Sequence, residues 1–540
     1  MSFNRRTRRD FISASTALFS ATPAARADES AKGELLYNGI RLPKQWPPQA
    51  QTLSREPMAV PYLAERPQVV PIDVGRQLFF DDFLIERMDL TRRFHTPEIH
   101  SASPVLRPDA KYPWEKTKEL GTAMTFSDGV WYDAKSKRFR MWYMGGFQPG
   151  ATCLAESTDG VHWNRPVLDV KPGTNVVEGT NRDSSTVWMD LAERDPAKRF
   201  KMSMVPIETA PYRMRLQFSP DGIHWTGVVA TTGTCGDRST FFYNPFRKVW
   251  VYSLRGTANK LRVRRYWENT DLLRGAAWEP HQPTYWVGAD KLDAGDPAEP
   301  GTEAQLYTLD AVAYESVLLG LFSVMRGRKR KGNELVIGFS RDGFHWDRPD
   351  RRPFVATSPR EGDWNHDYLH SAGGCCLIVG DKLHFYVGGR SGDFRKPDSY
   401  RSVGLVTLRR DGFASLDAGS AGGTVTTRPV RFSGKNLFAN ASAGELRAEV
   451  LDESGKPVEP YTLTECVPFT GDRTVVEIRW KRGKNLANLV GKTVRLRFSL
   501  KNGSLYSFWV SPGANGASRG YTAAGGPGLS GLVDTNGSGS

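Results

Sequence analysis

A short turn recurs along this chain with nearly constant spelling, and its spacing constrains the fold more than any other feature. Ser157-Thr158-Asp159-Gly160-Val161-His162-Trp163 is followed by Ser219-Pro220-Asp221-Gly222-Ile223-His224-Trp225 and by Ser340-Arg341-Asp342-Gly343-Phe344-His345-Trp346. Two looser copies, Thr270-Asp271 with Trp278 and Arg410-Asp411-Gly412-Phe413, bring the series to five, with marker aspartates spaced by 50 to 71 residues. Self-similarity at such a period means that one supersecondary unit is repeated around an axis or along a line.

The segments between the turns repeat as well. Residues 129–133, 185–190, 239–244, 311–314 and 375–379 each open a unit, and an aromatic-rich second strand follows at 138–144, 199–202, 248–252, 317–322 and 382–386. A third strand leads into the Asp-Gly turn, and the His-Trp pair opens a fourth. Four antiparallel strands in each of five units predict an all-β chain with a five-bladed β-propeller, which protects its edges by radial packing. The 53 glycines and 34 prolines suit many short strands joined by tight turns. Alternating strands after Gly412 predict a β-sandwich over 413–511, and a tail with nine glycines over 512–540 predicts disorder. The full division is a leader over 1–27, an extended arm over 28–70, the propeller over 71–412, the sandwich and the tail.

The leader carries Thr7-Arg8-Arg9-Asp10-Phe11-Ile12, a mildly apolar stretch and Ala25-Arg26-Ala27. This pattern predicts a cleaved twin-arginine signal and a periplasmic or secreted mature protein. Residues 1–27 account for four of the fourteen net positive charges, leaving +10 on the rest. Such a balance suits either a generally basic surface or an anionic partner, including an acidic polysaccharide; no nucleic-acid type run of basic residues occurs. Five cysteines without ligand spacing or pairing argue against a disulfide scaffold and fit folding before export.

In a propeller the loops entering the innermost strands rim one funnel, so residues far apart in sequence meet on the axis. Arg182-Asp183-Ser184-Ser185-Thr186 and Gly236-Asp237-Arg238-Ser239-Thr240 are matched in register, each aspartate seven positions before the residue that closes its strand. Asp310 is a third carboxylate of this kind. Paired carboxylates whose pKa values are pushed apart are what glycosidic bond cleavage requires, which makes Asp183, Asp237 and Asp310 the catalytic candidates. Asp82, Asp128, Arg238, Glu315, His366, His370 and Trp364 are the substrate-binding candidates, Arg238 as a holder of Asp237 or of a substrate acid group. No metal and no cofactor is expected, the His366/His370 spacing outside a helix being a weak ligand pattern. His162, His224 and His345 recur with the turn itself and belong to its structure.

Taken with Ser103-Pro104-Val105-Leu106 ahead of the first strand pair, these features resemble the five-bladed propeller glycoside hydrolases, the group that holds families 32, 43, 68 and 130. The sandwich resembles the accessory domain of family 32, and the likeness spans about Val70 to Ser511. The turn resembles the sialidase Asp-box, shortened by one residue. The departures matter: the first blade has no Asn-Asp-Pro-Asn-Gly string, Arg194-Asp195-Pro196 falls in a hairpin turn, and Glu465-Cys466 falls in the sandwich. Family 32 catalytic residues are therefore not carried over. The expectation is an exported glycoside hydrolase acting on a poly- or oligosaccharide. The alternatives are a non-catalytic carbohydrate-binding propeller, whose axial carboxylates would be paired with arginines, and a uronate-directed lyase using a tyrosine or histidine base beside an arginine.

Overall fold

The structure is a computed structural model that describes residues 33–537 except 117–119, 208–209, 328–331, 394, 397 and 484; the twin-arginine segment lies outside the described residues. Blade 1 is built from Gly121–Asp133, Arg138–Gly145, Ala151–Ser157 and Val176–Glu178. Blade 2 takes Arg182–Met189, Phe200–Pro206, Tyr212–Ser219 and Ala230–Cys235, and blade 3 takes Thr240–Asn244, Val249–Ala258, Leu261–Asn269 and Thr284–Gly288. Blade 4 has Gln305–Glu315, Val317–Met325 and Asn333–Ser340, with a Leu335–Val355 bridge in the outer position. The inner strand of blade 5 is split into Asp367–Ser371 and Leu377–Val379, both paired with Lys382–Arg390, which pairs in turn with Tyr400–Arg409. Its outermost strand, Glu98–Ile99, comes from before blade 1 and pairs with Val406 and Thr407. That exchange closes the ring by tying the segment before blade 1 to blade 5.

The repeated turn has one geometry. In each of its three close copies the aspartate Oδ1 accepts the backbone N–H groups two and three residues on, and Oδ2 lies 2.7 Å from the histidine Nδ1. The turn also latches blades together. Tyr386 Oη of blade 5 donates to Gly160 O, and Trp142 Nε1 of blade 1 donates to Gly222 O. Glycine is required at both, because φ is +76° and +73° and a Cβ would stand 2.7 and 2.5 Å from those aromatic groups. The turn residues are structural, as their recurrence implies.

The sandwich is one eight-stranded sheet that curls on itself. Its two longest strands, Asn436–Leu451 and Arg495–Ser511, pair along their whole length, and residues of both halves, such as Leu437, Leu446, Phe498 and Phe508, share one apolar core. Three of its strands precede blade 1: Gln77–Leu78, Ile85–Met88 and Thr91–Phe94. Residues 77–94 therefore belong to the sandwich and not to the propeller as expected. The arm lies against both parts: Val70 and Pro71 pair with Val430 and Arg431, and Ala50 N donates to Thr284 Oγ1 at 2.8 Å.

The tail departs most from expectation. Described to residue 537, it runs across the far ends of the inner strands: Thr522 pairs with Tyr314, Ala523 N donates to Ala313 O, Ala524 N to Cys376 O, Tyr132 N to Ala524 O, and Ile378 N to Gly525 O. Its glycines reflect close approach and not disorder, since a Cβ on Gly520 would stand 1.9 Å from Glu315 Oε2 and one on Gly526 would stand 1.7 Å from Ile378 O. Ala523 and Ala524 are buried there. Among the described residues no helix is long and apolar enough to cross a membrane.

Candidate active site

The opposite end of the axis is built by irregularities in the inner strands. Ladder register shifts between Met124 and Gly129, Arg182 and Ser185, Leu306 and Thr308, and Asp367 and His370. Bulges of this kind re-aim side chains and are common beside functional sites. Here they carry Phe126, Ser127, Asp128, Asp183, Tyr307, Tyr368 and the start of His370's segment; Ser127 and Tyr368 have φ of +66° and +58°, which strains non-glycine backbone.

Asp183 and Asp237 are brought together as their matched register implied. Ser184 Oγ donates to Asp237 O at 2.8 Å, tying the two aspartate-bearing segments across blades 2 and 3. Arg238 fills the space beside them: its Nη1 is 3.5 Å from Asp183 Oδ1, and its guanidinium carbon lies 3.2 Å from the centroid of the Phe126 ring. Arg264 braces it from behind, donating to Arg238 O at 2.8 Å and to Ser253 Oγ at 3.0 Å. Across from it, Arg255 Nε and Arg262 Nη1 stand 3.6 and 3.7 Å from Asp237 Oδ1. The Asp183 and Asp237 side chains are 22% and 26% exposed, so both reach the open side of the cluster.

These charges are near one another without being hydrogen-bonded. Asp183 Oδ1, Asp237 Oδ1, Arg255 Nε, Arg262 Nη1 and all three nitrogens of Arg238 are buried atoms with no hydrogen-bond partner. A buried polar atom left unpaired costs roughly 1–3 kcal/mol, more if charged, so such a concentration is a feature to explain. Burial pushes the Asp183 carboxyl above its ordinary value; Arg238 opposes this and the Asp237 charge adds to it.

Asp310 is at the centre of the same end but enclosed. Ser127 Oγ and Ser371 Oγ donate to its Oδ2 at 2.8 and 2.6 Å, and burial raises its pKa. Asp128 is buried too, ion-paired to Arg182 Nη2 and accepting from Phe126 N at 2.8 Å. His370 sits among Phe126, Tyr368 and Tyr307, with ring centroids 4.6, 4.5 and 5.3 Å away. Burial, then the charges of Arg238, Arg401 and Arg390, push it well below its ordinary pKa and keep it neutral. It lies within the inner strand of blade 5, not ahead of it.

Four sequence candidates do not join this cluster. Glu315 lies at the tail end of its strand, accepting from Ser518 Oγ at 2.7 Å and Arg410 Nη2 at 3.1 Å. Five residues of strand rise put it about 17 Å from Asp310's level, too far to share a mouth. Asp82 is on the sandwich side, exposed and paired with Arg92. Trp364 is buried packing: its ring would stand 2.3 Å from a Cβ at Gly404. His366 stands in the loop before blade 5, with Nδ1 3.1 Å from Ser358 O. The neighbouring Asp367 is taken by Arg390, at 2.8 and 2.9 Å. No group of three His, Cys, Asp or Glu side chains placed to hold a metal occurs among the described residues.

Sequence reasoning missed Phe126, Arg255, Arg262, Tyr307 and Tyr368. The arginines lie on the second and third strands of blade 3, which a search confined to inner-strand approaches passes over. The aromatics lie at bulges, where the two-residue alternation that predicts facing is reset.

No family model and no curated protein matches the sequence. Solved structures do match. One described as a glycoside hydrolase is 15% identical, with a TM-score of 0.38, covering 58% of this chain and 92% of its own. A glycosyl hydrolase from Bacteroides ovatus is 14% identical, with a TM-score of 0.35, covering 62% and 97%. The fructofuranosidase from Schwanniomyces occidentalis complexed with fructose is 11% identical, with a TM-score of 0.36, covering 73% and 96%.

Proposed function

We propose that the chain is an exported glycoside hydrolase that cleaves a poly- or oligosaccharide with Asp183 and Asp237. The observation that carries this reading is the pair of register-matched aspartates, each with a buried carboxylate oxygen that has no hydrogen-bond partner among the described residues. Their surroundings differ in the way the reaction needs. Asp183, raised by burial, is the group suited to hold a proton and give it to the glycosidic oxygen as the bond to the anomeric carbon breaks. Asp237 faces two guanidinium groups and takes the ionised role, attacking that carbon or taking a proton from water. Asp310, enclosed by two serine hydroxyls, is a positioning residue that fixes the centre of the axis and adds negative potential there. Export follows from the Arg8-Arg9 leader.

Glycan release from a panel of neutral and acidic polysaccharides tests the reading. Asp183→Asn and Asp237→Asn should each lower turnover by about 10²–10⁴, the range a positioned proton donor or acceptor supplies. Unchanged turnover in both would overturn it. One observation favours the non-catalytic binding reading: Asp128, Asp183 and Asp237 each have an arginine within 3.7 Å. That reading expects glycan binding without turnover in the wild type.

A further inference from the structure

The same cluster holds more positive than negative charge. Arg238, Arg255, Arg262 and the bracing Arg264 outnumber Asp183, Asp237 and Asp310, and no nitrogen of the wholly buried Arg238 has a hydrogen-bond partner among the described residues. An enclosed guanidinium whose ion-pair partner, Asp183, stands 3.5 Å away is under-compensated in a medium that screens poorly and gains from an added anionic group. We propose that Arg238 and Arg262 form a subsite for an anionic group on the sugar, the carboxylate of a uronic acid or a sulfate ester. The inference rests on the carbohydrate reading of this site.

Three further features fit that chemistry. Arg238 lies over the Phe126 ring and Arg262 lies 4.7 Å from the centroid of Tyr307, so an aromatic ring holds each guanidinium, a planar group suited to bidentate contact with two oxygens, in place. Tyr307 Oη and Tyr368 Oη are 3.0 Å apart and supply neutral donors nearby. Burial keeps His370 uncharged, so the positive potential is confined to the arginines and their bidentate geometry.

Calorimetric titration of the whole protein tests this with galacturonate, glucuronate and galactose 6-sulfate against galactose and glucose. At least one acidic sugar should bind about tenfold or more tightly than its neutral counterpart, the factor expected of one charge-assisted hydrogen bond. A preference confined to the uronates assigns the carboxylate, and one confined to the sulfated sugar assigns the sulfate; either supports the subsite. Arg262→Gln, on a partly exposed side chain, should remove the preference while the melting temperature stays unchanged. Arg238→Gln should also remove the preference and raise KM, and because Arg238 no longer opposes burial at Asp183 the Asp183 limb of its pH profile should move up. No acidic sugar binding better than its neutral partner would overturn the subsite. So would a preference that survives both substitutions, or an Arg238→Gln variant altered only in kcat and pH profile. The glycosidase reading fails separately: an anion preference with no glycan release refutes catalysis and leaves the subsite standing. Cleavage of neutral glycans with no preference does the reverse.

Discussion

Two buried charge clusters sit at opposite ends of the propeller's inner strands, and they are satisfied very differently. At the tail end, Glu315 accepts from Arg76 N, Arg410 Nη2 and Ser518 Oγ, while Asp411 accepts from Arg76 Nη1, Tyr314 Oη, Ser507 Oγ and Asn440 Nδ2. Asp534 joins from the tail, 3.6 Å from Arg410. That network knits propeller, sandwich and tail together, and each of its carboxylates has several donors, while Arg76 Nε and Nη2 and Arg410 Nε have no hydrogen-bond partner among the described residues. At the other end Asp183 and Asp237 keep an oxygen without a donor, and Arg238 keeps three nitrogens without an acceptor. The difference lies in the carboxylates: those supplied with several donors by the fold serve stability, whereas those left short of donors keep capacity for a ligand.

The sharpest way to break the comparison is to remove a charge from each end. Asp411→Ala leaves Arg76 and Arg410 buried and undercompensated and should cost about 3–5 kcal/mol of stability in urea unfolding. A cost below about 1 kcal/mol would mean that the tail-end network does not hold the parts together. Acid behaviour gives a second, smaller contrast. Burial raises the Asp411 pKa, but Arg76, Arg410 and the Ser507 and Tyr314 hydroxyls outweigh it and hold it down to about 2. Its contribution is therefore complete above the unfolded value near 4 and lost as pH falls from about 4 to about 2, a window that Asp411→Ala should erase from the stability–pH curve. Asp183 has the opposite sign: its raised pKa means that its ionisation opposes folding as pH rises through that value. Asp183→Asn should accordingly leave stability within about 1 kcal/mol or raise it slightly at neutral pH, the usual trade at functional sites. A loss comparable with that of Asp411→Ala would erase the difference between the ends.

The fold was legible because the three close copies of the Asp-Gly turn are local and unambiguous, their aspartate, serine and glycine satisfying one another within seven residues. The looser copies differ: Asp271 caps a short helix, and Asp411 bonds Arg76, Tyr314 and Ser507. The matched placement of Asp183 and Asp237 followed from counting back from strand ends. Counting failed where the strand is not regular. Bulges at Phe126 to Asp128 and at Tyr368 shift which residues face the axis, and no period-two rule recovers them. Glu315 was misplaced for another reason, since alternation gives the side of a strand and not the level along it. The tail illustrates a third limit. Composition alone does not separate glycines that free a chain from glycines that let it pass within contact of a strand end, as Gly520 and Gly526 do.

The central claim is that the unsatisfied end is the working end, and glycan release by folded Asp237→Asn tests it most directly. The expected result is wild-type unfolding stability, within about 1 kcal/mol, together with a loss of turnover of about 10²–10⁴. A variant that keeps wild-type turnover, or loses turnover only in proportion to lost folded protein, would contradict it.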